Sequence, residues 1–193
     1  MRITDIIVED SFGEKRVSFF SDNKILECWF DRNASPSKID ELHLASVNQV
    51  IKPLNRVFLT LFDGSSVSVR YKKNFPEVGT IEPITITADK NLAKPYQGIR
   101  GFNIKGKFSI LTPHNKGIGI SKNISDKIKR KRLKNLADNS TFSNYGGIIR
   151  RSAINYTDDE ILKDFENLLT IWKNVKPSES FQSPTLIYKG PSL

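Results

Sequence analysis

Hydrophobic and polar positions alternate in short runs through the first ninety residues. Residues 3–8, 15–20 and 24–30 read as strands, the last two joined by the turn sequence Ser21-Asp22-Asn23. A polar break covers residues 31–38. Leu42–Ile51 and residues 56–62, 66–72 and 84–88 follow as further strands, with Lys52-Pro53-Leu54-Asn55 and Asp63-Gly64-Ser65 as turns. Short strands at this spacing predict a small barrel or sandwich.

The pattern then changes. Residues 107–111 and 118–121 read as strands around a turn at 113–117. A basic helix at 125–137, a polar loop at 139–147 and a strand at 148–152 come next. The helix over 157–175 has the clearest signal. Thr157-Asp158-Asp159-Glu160 is a capping box, in which the Thr hydroxyl accepts from a free amide and Glu160 reaches back. Ile161, Leu162, Phe165, Leu168, Leu169, Trp172 and Val175 fall on one helical face, and Pro177 stops the helix. Residues 184–189 read as a last strand.

Charge sharpens the division. The 193 residues hold 30 Lys+Arg against 21 Asp+Glu, a net charge of +9. Residues 1–90 carry 12 basic and 13 acidic side chains, and residues 91–193 carry 18 and 8. A basic surface confined to one half points to a polyanion such as nucleic acid, or else to a solvated basic face. Cys28 is the one cysteine, which excludes an intramolecular disulfide and a cysteine-built zinc site. It lies in the apolar run 25–30 and reads as an inert core thiol. No apolar run approaches the ~20 residues of a membrane span, and the N-terminus lacks the apolar core of a signal peptide. The expectation is a cytoplasmic protein with no membrane partner.

Candidate catalytic chemistry is sparse. Gly101 to Phe108 approaches a phosphate-binding P-loop, but Phe108 stands where Ser or Thr must bind magnesium, and a strand follows where a helix is required. Asp158, Asp159 and Glu160 are explained by the positive end of the helix dipole. His43 and His114 have no partner spacing for a metal or a nucleophile–base pair. No catalytic and no metal-ligating residue emerges. Two features do suit anions. Residues 122–134 hold seven bases and one acid, with Lys127, Arg130, Lys131 and Lys134 on one face, Lys122 just ahead, and Ile128 and Leu133 left for the core. Gly146-Gly147-Ile148-Ile149-Arg150-Arg151-Ser152 places two guanidiniums after a short strand whose glycines allow close approach. Strand alternation would send Arg150 and Arg151 to opposite faces.

The ordered set of residues 106–113, Gly119-Ile120-Ser121, the basic helix, Gly147-Ile148-Ile149-Arg150, Thr157 with its acids, Trp172 and residues 184–188 resembles the ribonuclease E/G family over residues 97–190. The resemblance implies an α+β fold: an OB-like β-barrel inserted in a split RNase H-like base, followed by an α/β 5′-sensor-like module. The expected divisions are 1–38 for the RNase H-like strands, 39–92 for a divergent OB-type barrel, 93–182 for the sensor-like module and 183–193 for a return strand. It places Phe58 at an aromatic that stacks on RNA, with a core role as the alternative. The family's aromatic near Ser68–Val69 is replaced, and Gln97 stands where the family has an RNA-binding Lys. For the 5′ phosphate it points to Gly106, Ile110 through its backbone, Arg150 and Arg151. Arg151 replaces the family's Thr, and it either adds a second cation or turns to solvent. The expected partner is single-stranded RNA. The family's DNase I-like half, with its magnesium-binding aspartates, has no counterpart after Tyr188, so Mg2+ is expected only if a catalytic half or partner polypeptide supplies its ligands. The implied roles are RNA binding, or a share in a magnesium-dependent endoribonuclease of RNA processing and decay. A degenerate protein-interaction module is the third.

Overall fold

The computed structural model describes residues 2–32, 36–175 and 182–190, so the expected helix stop at Pro177 lies outside the described residues. The chain forms two compact units, residues 1–38 with 190–193 and residues 39–189.

The first unit is an antiparallel meander of β1 (Asp5–Ser11), β2 (Glu14–Ser21) and β3 (Lys24–Arg32). Asp22 and Asn23 have φ of 47° and 62°, as a two-residue hairpin matched to strand twist requires. The register puts Ile6, Val8, Val17, Phe19 and Trp29 on one face. Phe19 meets Trp29 edge-on at 5.0 Å between ring centroids. Cys28 is not a core thiol: it is half-buried, and its Sγ donates to Ser18 Oγ at 3.4 Å.

In the second unit, β4 (Leu42–Ile51), β5 (Arg56–Thr60), β6 (Ser66–Arg70), β7 (Ile81–Ala88) and β8 (Tyr96–Arg100) close into a five-stranded barrel. Closure depends on β4. Its first half pairs with β7 and its second half with β5, with a register shift between Val47 and Gln49. The β6–β8 pair is parallel, and the other barrel pairs are antiparallel. Alternation fills the interior with Ala45, Val47, Val57, Leu59, Val67 and Val69. The fifth barrel strand, β8, lies between β6 and β7 in the sheet.

A second sheet, ordered β11 (Ile118–Ile120), β12 (Gly146–Ile149), β10 (Ser109–Thr112) and β9 (Ile104–Lys105), packs with α1 (Lys127–Asp138) and α2 (Asp158–Val175). Phe102, Phe108, Phe142, Phe165 and Trp172 build its core, and Leu42 and Leu44 of β4 join them. The fold is therefore mixed α+β, with barrel and α/β layer sharing β4. The last strand, β13 (Thr185–Tyr188), pairs with β4 and widens the barrel sheet.

Both helices start at side-chain caps. Asp126 accepts from Ile128 N and Lys129 N at 2.8 and 3.1 Å, so α1 begins two residues later than expected. Thr157 N donates to Glu160 Oε2 at 3.0 Å, and Glu160 N donates to Thr157 Oγ1 at 3.3 Å, which completes the capping box. Ile128 does not reach the core: it is 82% exposed. The Gly146-Gly147 pair serves the chain's own packing. A Cβ on Gly146 would lie 2.2 Å from the Asn115 carbonyl oxygen, and one on Gly147 would lie 2.3 Å from the Phe142 ring.

Candidate nucleic-acid interface

The strand expected over 148–152 ends at Ile149. Arg150 caps a short 3-10 helix spanning Arg151–Asn155. Strand alternation therefore does not govern the two arginines, and both are exposed. Arg150 N donates to the Phe108 carbonyl at 2.8 Å, and Arg150 Nη1 donates to the Gly106 carbonyl at 2.6 Å. One corner of the guanidinium fork is thus pinned, and the rest stays open to solvent. Ser152 Oγ donates to the Lys107 carbonyl at 2.6 Å. Gly106 N donates to the Ser109 carbonyl, so that amide faces its own loop. Ile110 sits between Ile148 and Lys105 in the sheet. Lys107 is exposed, with Nζ over the mutually tilted rings of Phe108 and Tyr156 at 4.9 and 4.6 Å. Gly106, Ile110 and Arg150 are therefore brought together, with Arg151 next to Arg150.

The basic helix divides differently from its helical-wheel face. Arg130 Nη1 donates to the carbonyls of Ser121 and Ile124 at 2.7 and 3.0 Å. Lys134 Nζ donates to the Ile118 carbonyl at 3.0 Å and pairs with Asp138 at 2.7 Å. These two cations hold α1 against β11. With Lys131, Ile118 and Ile120 they line a pocket of about 370 Å3. Lys122, Lys127 and Lys131 are exposed. Arg132, not singled out in the sequence, donates to Asp158 Oδ1 at 2.8 Å and to the Tyr156 carbonyl at 2.6 Å, tying α1 to the start of α2.

Phe58 is not a core residue. Val57 and Leu59 fill the barrel, and Phe58 lies between them on the outer face, half-buried, opposite Gln49 and Ser68. Arg56 shares that face and donates from Nη1 to Ser68 Oγ and Gln97 Oε1, both at 3.1 Å. An aromatic ring beside a cation on an outer strand face is what base stacking on a basic track uses.

Residues 103–193 match the ribonuclease E/G family. That segment is similar to the ribonuclease E/G family. Curated relatives extend the likeness toward the N-terminus. Ribonuclease E of Synechocystis is 22% identical over 171 residues, which cover 78% of this chain and 24% of the relative. A chloroplastic ribonuclease E/G-like protein of Arabidopsis thaliana is 27% identical over 146 residues, covering 75% of this chain and 13% of the relative. The chain thus spans a quarter or less of the relatives it matches. All the expected phosphate-site and helix residues fall inside the ribonuclease E/G segment, and Phe58 lies outside it.

The same segment holds a buried group that the sequence reading passed over. Asp164 lies on the apolar face of α2 and is 9% exposed. It accepts from Lys107 N at 2.8 Å, Phe108 N at 3.1 Å and Ser109 Oγ at 2.7 Å. The signal was present in the sequence: an acid between Ile161 and Leu168 on a buried stripe must find donors. No helix among the described residues is long and apolar enough to cross a membrane.

Proposed function

We propose that this ribonuclease E/G-like protein binds single-stranded RNA, with Arg150 holding a phosphate and the 5′-terminal phosphate above all. The observation that carries the reading is the Arg150–Gly106 contact. It fixes the fork at one corner and leaves its other donors for an anion, so little side-chain freedom is lost on binding. Arg151 and Lys107 add exposed positive charge on adjoining residues. The strand order of the barrel and its single parallel pair support an OB-type reading, in which β5 and β6 form the nucleic-acid face and Phe58 stacks on a base. Lys122, Lys127 and Lys131 supply longer-range attraction. The strands β1–β3 are read as part of an RNase H-like base, and the setting as cytoplasmic RNA processing and decay.

The chain's share of its relatives' length favours a second reading, that it works beside a catalytic half or partner polypeptide in an endoribonuclease. Among the described residues, no cluster of His, Cys, Asp and Glu fits the magnesium that such cleavage implies. Labelled RNA cut by the purified chain with Mg2+ supports an enzymatic role, and RNA left intact leaves binding alone or a missing partner.

The phosphate reading is tested by fluorescence anisotropy on one single-stranded RNA, labelled at its 3′ end and carrying a 5′ monophosphate or a 5′ hydroxyl. The phosphorylated strand is expected to bind about tenfold tighter, the worth of a charge-assisted pair. Arg150→Ala is expected to erase the difference. Equal affinity for the two ends in the parent protein refutes the reading.

A further inference from the structure

A carboxylate on the apolar face of a helix is costly unless its oxygens are satisfied, and an apolar side chain commonly fills such a place at no loss of stability. Asp164 is satisfied from one stretch alone, through the amides of Lys107 and Phe108 and the hydroxyl of Ser109. The carbonyls of that same stretch face Arg150 and Ser152. Gly106 accepts from Arg150 Nη1, Lys107 from Ser152 Oγ, and Phe108 from Arg150 N. The loop is therefore held by its donors from α2 and by its acceptors from residues 150–152. The glycine at 106 belongs to this device, since a Cβ there would lie 2.6 Å from Asp164 Oδ1.

We infer that Asp164 is a positioning residue for the phosphate site: it sets the 106–109 loop so that the Gly106 carbonyl pins the Arg150 fork for an incoming terminal phosphate. The inference rests on the phosphate reading of Arg150. Asp164 touches no ligand itself. It acts through the loop, so its removal should abolish the preference for a phosphorylated end without touching the rest of the RNA contact.

Asp164→Asn in the full chain tests this with the same pair of RNAs. Asn keeps the size and one acceptor but turns the other corner into a donor facing N–H or hydroxyl groups. The affinity for 5′-phosphorylated RNA is expected to fall about tenfold, to that for the 5′-hydroxyl strand, which itself stays unchanged. A variant with parental circular dichroism that keeps the full preference overturns the inference. If Asp164→Asn fails to fold, Ser109→Ala decides: it removes only the hydroxyl contact, and a reduced preference supports the inference while an undiminished one overturns it. A parent protein that shows no preference refutes the reading of Arg150 itself, and the inference falls with it.

Discussion

Arg130 donates from Nη1 to the Ser121 carbonyl at 2.7 Å, so a central cation of the basic helix is occupied by the chain's own backbone. Lys131, the next residue, is exposed. The two should therefore behave oppositely on substitution. Arg130→Ala is expected to destabilise the fold by about 1–3 kcal/mol, because it leaves the partly buried carbonyls of Ser121 and Ile124 without their charged donor. Lys131→Ala is expected to leave the melting temperature alone and to weaken RNA binding slightly at low salt. Thermal melts and anisotropy on the two variants check this. A stable Arg130→Ala with reduced RNA affinity would reverse the assignment.

Phe58 and Leu59 are neighbours on β5 that face opposite sides of the barrel wall. Phe58→Ala is expected to cost about 1–3 kcal/mol of RNA binding, the worth of one stacked base, with only a small change in stability. Leu59→Ala is expected to cost about 2–5 kcal/mol of stability through an unfilled cavity. Denaturant unfolding and RNA titration of the pair separate the two faces. A Phe58→Ala protein that unfolds like Leu59→Ala would place the ring in the core after all.

The backbone N–H and the hydroxyl of Thr157 donate to Glu160 and hold its carboxyl below its ordinary 4.5. A folded-state value below the unfolded one means the stabilisation is full above the unfolded value and is lost as pH falls through the folded one. The parent protein is therefore expected to melt above Glu160→Gln at neutral pH, with the gap closing as the pH drops below 4.5. Melting curves across that range check it. A gap that persists in acid would show that the capping box does not depend on the ionised carboxylate.

Where one period governs an element, the sequence disclosed it. The ten residues of β4 and the apolar stripe of α2 match their expected bounds within a residue. Other features depend on what lies opposite them, which periodicity does not carry. The strand β8 stands where the alternation pattern gave no element, and Gly98 interrupts its apolar run. A Cβ on that glycine would sit tightly, 3.1 Å from a Val67 methyl group and 3.2 Å from the Thr85 carbonyl oxygen. Gly146-Gly147 reads as the end of a loop, yet begins β12 for the same kind of reason. A helical wheel gathers Arg130, Lys131 and Lys134 on one face, but cannot know that the carbonyls at the ends of β11 meet two of them. Of the candidate site, Gly106 and Arg150 were visible as residues, while the contact that joins them across the fold and the Asp164 carboxylate behind the loop were not. Asp164 is the one charge among the buried residues of α2.

The most direct test of RNA binding through this charged surface is the salt dependence of single-stranded RNA affinity for the whole chain. If Arg150, the Arg56–Phe58 face and the exposed lysines of α1 each meet a phosphate, roughly three counterions are released and the slope of log affinity against log salt is about −2. Affinity that stays level from about 50 to about 200 mM salt would contradict it.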